Sequence, residues 1–298
     1  MSPLTILLVA LGAFTLFYIV VFAKGVKEVG AEQGQTAPTP LGMAIGAVTN
    51  FFDTLGIGSF ATTTSAFRFF RLVPDERIPG TLNVGHTLPT IAQAFIYTTI
   101  IDVDFTTLIV LILAAIIGSW FGAGVVSGFS RRKVQVYMGS ALFVAALLYA
   151  LKSIDEMRDT PVFPGGEALA LTGGLLAVAF LGNMFLGALM TLGVGLYAPC
   201  MIMIALLGMN PTAAFPIMMG SCAFLMPVSS ARFVKEKKFD ARAAMGLLIG
   251  GIPAVLLAAF IVKSLPLTWV RWLVVAVVGY TAISMLRTAA KEKAAGTA

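Results

Sequence analysis

Two ionisable side chains lie inside long apolar stretches of this sequence, where a charge is costly. Asp53 is the only carboxylate within these stretches, and His86 is the only histidine of the chain. A carboxylate in apolar surroundings must be paired, protonated or in contact with water, so Asp53 could carry a proton or contact a substrate. His86 could relay a proton or donate a hydrogen bond to a substrate. The structural alternatives are a carboxylate bonded to loop backbone and a neutral histidine that packs helices.

Hydroxyl and amide side chains accompany these two residues. The run from Ser59 to Ser65 is rich in hydroxyls, which suit an anion but also satisfy backbone carbonyls around a broken helix. Asn50 and Asn183 each precede a glycine motif, where they could coordinate a ligand, cap a helix or bond between helices. Asp53 and His86 are the predicted proton-coupling residues. The predicted substrate-binding residues are Asn50, Thr54, Gly56, Gly58, Ser59, Thr62, Thr63, Asn83, His86, Asn183, Thr191, Gly193, Gly195, Cys200 and Ser221.

The glycine motif occurs twice. Thr54-Leu-Gly-Ile-Gly58 returns 137 positions later as Thr191-Leu-Gly-Val-Gly195, and without gaps the same offset pairs Pro74 with Pro211. This self-similarity predicts two copies of one structural unit. A glycine at such a bend can adopt a positive φ, and it lets backbone amides approach an anion closely.

The composition defines the class of protein. The chain is 58% hydrophobic and 11% charged, with a mean hydropathy of +0.94. An average soluble domain carries about twice that fraction of charge. Residues 168 to 231 contain no Asp, Glu, Lys or Arg, which is enough chain for two crossings and a turn. We therefore predict an all-α polytopic membrane protein with the lipid bilayer as its surroundings.

The apolar segments give the predicted order of spans. A first span from Pro3 to Ala23 precedes a polar linker that extends to residue 40. Two segments differ from the others in length, and each holds one copy of the glycine motif: 41 to 67 and 168 to 207. The remaining predicted spans are 78 to 101, 105 to 128, 134 to 151, 211 to 231, 243 to 263 and 268 to 286.

The basic residues predict the orientation, because Lys and Arg beside spans stay in the cytoplasm. Of the 20 basic residues, all can be cytoplasmic except Lys152, Arg158, Lys263 and Arg271. This requires the segment 168 to 207 to enter and leave on the same side, as a hairpin that bends near Gly193 to Gly195. If the segment 41 to 67 folds likewise, each repeat has an odd number of passes and the second is inverted. Broken helices of inverted repeats present free helix ends to a substrate in secondary transporters.

Other readings of the motifs fit less well. Gly56-Ile-Gly58-Ser-Phe-Ala61 fits a dinucleotide-binding pattern, but that pattern needs a preceding strand in a soluble βαβ unit. No Cys, His or carboxylate cluster has the spacing of metal ligands, so we expect neither a metal nor a cofactor. Cytoplasmic loops account for the net charge of +6, and we expect no nucleic-acid partner.

These features together resemble a known family. Two repeats with glycine-broken first segments, a proline turn at Val73-Pro74 and Asn210-Pro211, and short basic loops are similar to the sulfite exporter TauE/SafE family, the TSUP permeases. The resemblance covers residues 41 to 287. It implies a proton-driven permease of small anions such as sulfite, sulfonates or related organic anions. Ser59 follows Gly58 where many members carry another glycine, a difference that bears on the substrate.

The sequence thus predicts a transporter, not an enzyme, in the inner membrane of a bacterium, with a cytoplasmic carboxyl terminus. An integral membrane enzyme and an anion channel are the alternatives, and the oligomeric state stays open. The predicted parts are an N-terminal span with its linker (1–40), repeat 1 (41–151), an extracytoplasmic loop (152–167), repeat 2 (168–287) and a cytoplasmic tail (288–298).

Overall fold

The computed structural model describes residues 2–34, 36–158, 165–260 and 267–294. Helices account for most of these residues, and one isolated bridge joins Ala168 to Met209. The all-α prediction is confirmed. The helices are α1 (Pro3–Gln33), α2 (Pro40–Thr54), α3 (Phe60–Phe69), α4 (Ile78–Ile100), α5 (Phe105–Val126), α6 (Arg131–Glu156), α7 (Gly173–Thr191), α8 (Tyr197–Leu206), α9 (Ala214–Lys235), α10 (Ala241–Phe260) and α11 (Leu267–Ala294).

Seven helices in the described part of the chain are long and apolar enough to cross a membrane: α1, α5, α6, α7, α9, α10 and α11. The protein is therefore a multi-pass membrane protein. Helix α4 has a sufficient length of 23 residues but carries buried polar side chains on several of its turns. Such a helix is stable in a bilayer only where other helices surround it.

Both segments that hold the glycine motif fold as broken hairpins. Helices α2 and α3 are separated by residues 55–59, and α7 and α8 by residues 192–196. Helices α3 and α8 have 10 residues each. At a rise of about 1.5 Å per residue they span roughly half of a hydrocarbon layer about 30 Å thick. The return arms are therefore re-entrant in length, and not full crossings.

The glycines at the bends have different roles. Gly56, Gly58 and Gly193 have φ values of +88°, +86° and +95°, which residues with a Cβ rarely adopt. Gly195 has no such φ, and a Cβ added there would meet no atom within 4 Å. The amides of Gly56 and Gly193 bond to Asp53 O and Met190 O in their own turns. These two amides are therefore occupied within their own turns, and the assignment of Gly56 and Gly193 to the substrate site stays a prediction.

Close helix packing uses small residues. Gly42 and Gly46 of α2 face Gly246 of α10, and a Cβ on Gly250 would lie 1.9 Å from Met43 O. Helices α5 and α7 pack in the same manner, through glycines 118, 122 and 187. Small residues at these spacings let backbones approach in a bilayer, where packing replaces the hydrophobic effect between helices.

The helix pairing has an internal symmetry. If α2 to α6 correspond in order to α7 to α11, the pair α2–α10 becomes α5–α7 and the pair α4–α10 becomes α5–α9. The pairs α4–α9 and α6–α11 map onto themselves, and α3–α11 becomes α6–α8. This packing agrees with two copies of one unit. Opposite orientation of the copies stays a prediction.

Helix α1 extends beyond the predicted first span. It continues ten residues past Ala23 and ends at Gly34, which has a left-handed φ. Gln33 of its last turn donates to Phe239 O and accepts from the amide of Ala241, which fixes this end to the start of α10. Nearby, Lys237 bonds to the Glu32 carboxylate, and this bond raises the pKa of the lysine.

Candidate functional site

Asp53, at the last turn of α2, lies in a closed polar network. Its side chain is fully buried, and its Oδ2 accepts a hydrogen bond from Gln93 Nε2 at 2.9 Å. The Gln93 amide also donates to Thr54 Oγ1, 3.0 Å away. Tyr197 OH lies 3.1 Å from Gln93 Oε1 and 3.4 Å from Asp53 Oδ2. Because Tyr197 begins α8, this network joins the first hairpin to the second.

The other carboxylate oxygen of Asp53 has no hydrogen-bond partner within the described structure. Ser59, which immediately precedes α3, lies close to the same carboxylate. The first N–H groups of an α-helix have no partner inside the helix and attract negative charge. The carboxylate of Asp53 therefore occupies the neighbourhood of the α3 amino terminus, a position that suits an anion.

His86 of α4 is held by the two arms of the first hairpin. Its Nδ1 lies 3.0 Å from Asn50 Oδ1, and its Nε2 lies 3.0 Å from Thr63 Oγ1. The Asn50 amide nitrogen donates to Gly46 O, so its oxygen faces the ring and Nδ1 must carry the proton. Nε2 of a neutral ring then accepts from the Thr63 hydroxyl. The ring of Phe60 packs against His86 with centroids 5.6 Å apart.

A third buried group extends this network to α9. Asn83, one turn before His86, accepts a hydrogen bond from Ser229 Oγ at 2.9 Å. Thr87, one turn after Asn83 and next to His86, has its Oγ1 3.2 Å from Ser230 Oγ. All four side chains are buried. The polar face of α4 is thus satisfied by side chains of both repeats.

The second repeat has a separate polar pair. Asn183 of α7 donates to Leu111 O and to Ser221 Oγ of α9, at 2.7 and 3.0 Å. Its Oδ1 has no partner among the described residues. Within the described ranges, no hydrogen bond links this pair directly to Asp53. Asn50 and Asn183 therefore each bond to the helix that follows their own hairpin.

Three other residues predicted to bind substrate lie outside these side-chain networks. Thr62 bonds to Gly58 O and Ser59 O and faces away from His86, and Thr191 bonds to Ala188 O. Cys200 is fully buried. The thiol of Cys222 lies 3.4 Å from Met190 Sδ.

Sequence reasoning missed the aromatic hydroxyls and Gln93. Tyr197 reaches Asp53, Tyr97 OH donates to Thr54 O at 2.7 Å, and Tyr149 OH donates to Ile57 O at the first bend. A signal existed for Tyr197, because the residue 137 positions before it is Phe60. The hydroxyl of Tyr197 is therefore a difference between the two copies of the repeat.

A cavity of about 1200 Å³ lies beside the first hairpin, between α2, α3 and α11. Thr62 and Ser65 line it from α3, and Thr281 and Ser284 line it from α11. Thr63 on the neighbouring face of α3 contacts His86 instead. The return arm α3 thus separates the cavity from the buried network.

A multi-pass protein in which two broken hairpins enclose a buried polar network belongs to the class of membrane transporters. The chain belongs to the sulfite exporter TauE/SafE family, whose model matches residues 1–149 and 175–298. The resemblance noted in the sequence is confirmed. Neither the comparison with curated proteins nor that with solved structures gives a match.

Proposed function

We propose that this protein is a secondary-active transporter of small anions, such as sulfite, sulfonates or related organic anions, coupled to protons. The observation that carries this proposal is the network of Asp53, Gln93 and Tyr197 between the two hairpins. The proposed substrate site is the space around the first bend, where the α3 amino terminus favours negative charge. Gly58 and Ser59 lie at this end.

Competition for one helix end supports the coupling. The ionised carboxylate of Asp53 occupies the α3 amino terminus and repels a second anion. When Asp53 takes up a proton, the charge disappears and the helix end can accept the substrate. Proton and anion would then bind together and cross together. Asp53 Oδ1, which accepts no hydrogen bond from the described residues, would take up that proton.

His86 supports the site as an orienting group in this proposal. A neutral ring bonded on both nitrogens fixes Asn50 of α2 and Thr63 of α3 at one separation. It holds the two arms of the hairpin in register below the bend. We assign proton transfer to Asp53 and the hairpin geometry to His86.

The test is a flux assay with purified protein in proteoliposomes. We expect sulfite or a small sulfonate to exchange across the membrane. It should accumulate inside the proteoliposomes when the outside is made more acidic than the inside. An anion channel would give flux without accumulation against a gradient, and a membrane enzyme would give product in place of flux. Either result contradicts the proposal.

A binding assay gives an independent check. A ligand that binds only the native state raises the melting temperature by mass action. We expect sulfite, sulfonates or short organic anions to stabilise the detergent-solubilised protein, with a larger effect at low pH where Asp53 is neutral. Equal stabilisation by matched cations would exclude an anion site.

A further inference from the structure

The wall of the cavity between α3 and α11 is basic at one end and apolar at the other. One end is basic, with Arg68 and Arg71 at the end of α3 and Arg131 at the start of α6. The other end reaches Phe52, one residue before Asp53, and Val274 of α11. The cavity therefore extends from the basic membrane surface to the depth of the first bend.

The cavity wall carries more positive than negative side chains. Three arginines line the cavity, and one lining carboxylate, Asp75, faces them. Asp75 Oδ1 lies 2.5 Å from Arg68 Nη1, and its Oδ2 accepts from Gln135 Nε2 at 2.9 Å. Arg131 pairs with Glu292 at 3.4 Å, outside the lining. Arg71 is exposed, and its backbone lies in the left-handed region with φ +53°. The wall attracts negative charge.

Hydroxyls continue the polar wall inward from the arginines. Arg68 Nη2 lies 3.4 Å from Ser284 Oγ, and one turn deeper Thr281 Oγ1 bonds to Ser65 Oγ across the α3–α11 contact, 2.9 Å away. The volume corresponds to several tens of water molecules at about 30 Å³ each. A small hydrated anion therefore fits the cavity without a close match of shape.

We propose that this cavity is the access path for the anion on the basic side of the membrane, and that Arg68 and Arg71 capture the anion at its mouth. This inference rests on the proposed function and extends it to a second, weaker anion site. Among the described residues, Arg71 forms no ion pair. Arg68 exchanges its Asp75 partner for the anion, since one guanidinium can bind either carboxylate or sulfonate oxygens.

Thiol labelling tests the cavity without requiring transport. Single cysteines replace Thr62, Ser284 and, as a control on the buried face of α3, Thr64. Each is treated with an anionic sulfonate-bearing methanethiosulfonate and with a cationic ammonium-bearing one. Cys200 and Cys222 are buried, and the protein without an added cysteine gives the background.

We expect Thr62→Cys and Ser284→Cys to react several-fold faster with the anionic reagent, and Thr64→Cys to react with neither. Adding Arg71→Gln should remove most of that preference, because the local potential at the mouth falls. Equal rates for both reagents would overturn the capture role. Labelling that occurs only after lipid is stripped by detergent would mean that a lipid fills the cavity, which also overturns it.

A transport measurement separates this inference from the proposed function. In proteoliposomes, Arg71→Gln should raise the KM for the anion several-fold and leave kcat unchanged, since an exposed capture residue acts before the buried site. An unchanged KM in a variant that transports would contradict the inference alone. Absence of all anion flux in the wild-type protein, with charge-selective labelling intact, would contradict the proposed function.

Discussion

At the scale of single residues, the proposed coupling of proton and anion depends on Asp53. The residue 137 positions later is Met190, so the second copy of the motif lacks the carboxylate. The residue 137 positions after His86 is Ala223, so the second copy also lacks the histidine. The two repeats share a scaffold, but the ionisable groups belong to the first copy, and Tyr197 is the main contribution of the second.

The first prediction concerns Asp53→Asn. An amide mimics the neutral carboxyl group in charge and shape, so anion binding and exchange should persist. Accumulation driven by a pH gradient should be lost, because the residue no longer takes up a proton. The measurement is uptake of labelled substrate with and without an imposed gradient, with His86→Gln as a milder companion. Gradient-driven accumulation by Asp53→Asn would leave Asp53 a structural role only.

The second prediction separates the glycines of the two bends. Gly58→Ala should lower the melting temperature, because its φ of +86° is strained by a Cβ that would lie 2.7 Å from Tyr149 Oη. A strained backbone conformation of this kind costs on the order of 1–3 kcal/mol. Gly195→Ala is the matched control, since its Cβ meets no atom within 4 Å. Equal melting temperatures for the two variants would show that the bend relaxes.

The sequence identified the ionisable residues of the candidate site, but it did not identify most of their hydrogen-bond partners. Asp53 and His86 stood out because ionisable groups are rare in apolar segments, and both lie in the buried network. Gln93 and Tyr197 were missed because their role depends on contacts across the two repeats. Thr62 and Thr63 are adjacent in sequence and lie on neighbouring faces of α3, so that Thr62 lines the cavity and Thr63 contacts His86.

At the scale of helices, hydropathy predicted the elements closely. Each predicted span contains a helix, and both long segments are broken near their glycines, as expected. The extension of α1 was missed because Lys24, Lys27 and Glu28 are polar yet are good helix formers beyond the membrane. The bends could be located from sequence because positive φ requires glycine there.

The third prediction tests the packing of α2 on α10. Gly250→Ala should destabilise the protein, because its Cβ would lie 1.9 Å from Met43 O and the helices must separate. Overpacking of this kind typically costs about 1–3 kcal/mol. Gly12→Ala on α1, where no atom lies within 4 Å of the added carbon, is the control. Thermal unfolding in detergent measures both, and a Gly250→Ala melting temperature equal to that of Gly12→Ala would disprove the close contact.

At the scale of the whole molecule, the repeats must be inverted if the basic loops share one side. The fourth prediction uses two exposed residues, Glu236 between α9 and α10 and Asp102 between α4 and α5. A cysteine at Glu236 should react with an impermeant reagent only after the cells are opened, whereas one at Asp102 should react in intact cells. Reaction of both in intact cells would refute the inverted arrangement.

The packing of the described helices divides the molecule into two parts. Helices α6 and α11 pack on each other and contact the remaining helices chiefly through α3, α8 and the turn at residues 75–77. The other helices form a second body held by glycine contacts. The proposed site lies where the bodies meet, since Tyr149 of α6 bonds to Ile57 O at the first bend. Rocking of one body against the other would expose the site to each side in turn.

The fifth prediction concerns a disulfide that would join these two parts of the molecule. The hydroxyls of Ser65 on α3 and Thr281 on α11 are 2.9 Å apart, so cysteines at both positions are near enough for a disulfide once the side chains adjust. If α11 must move relative to the first hairpin, oxidation of Ser65→Cys/Thr281→Cys should stop transport and reduction should restore it. Each single-cysteine variant should transport equally before and after oxidation. Full transport by the oxidised double variant, with the cross-link verified by mass spectrometry, would mean that the α3–α11 contact stays closed throughout the cycle and that the movement occurs elsewhere.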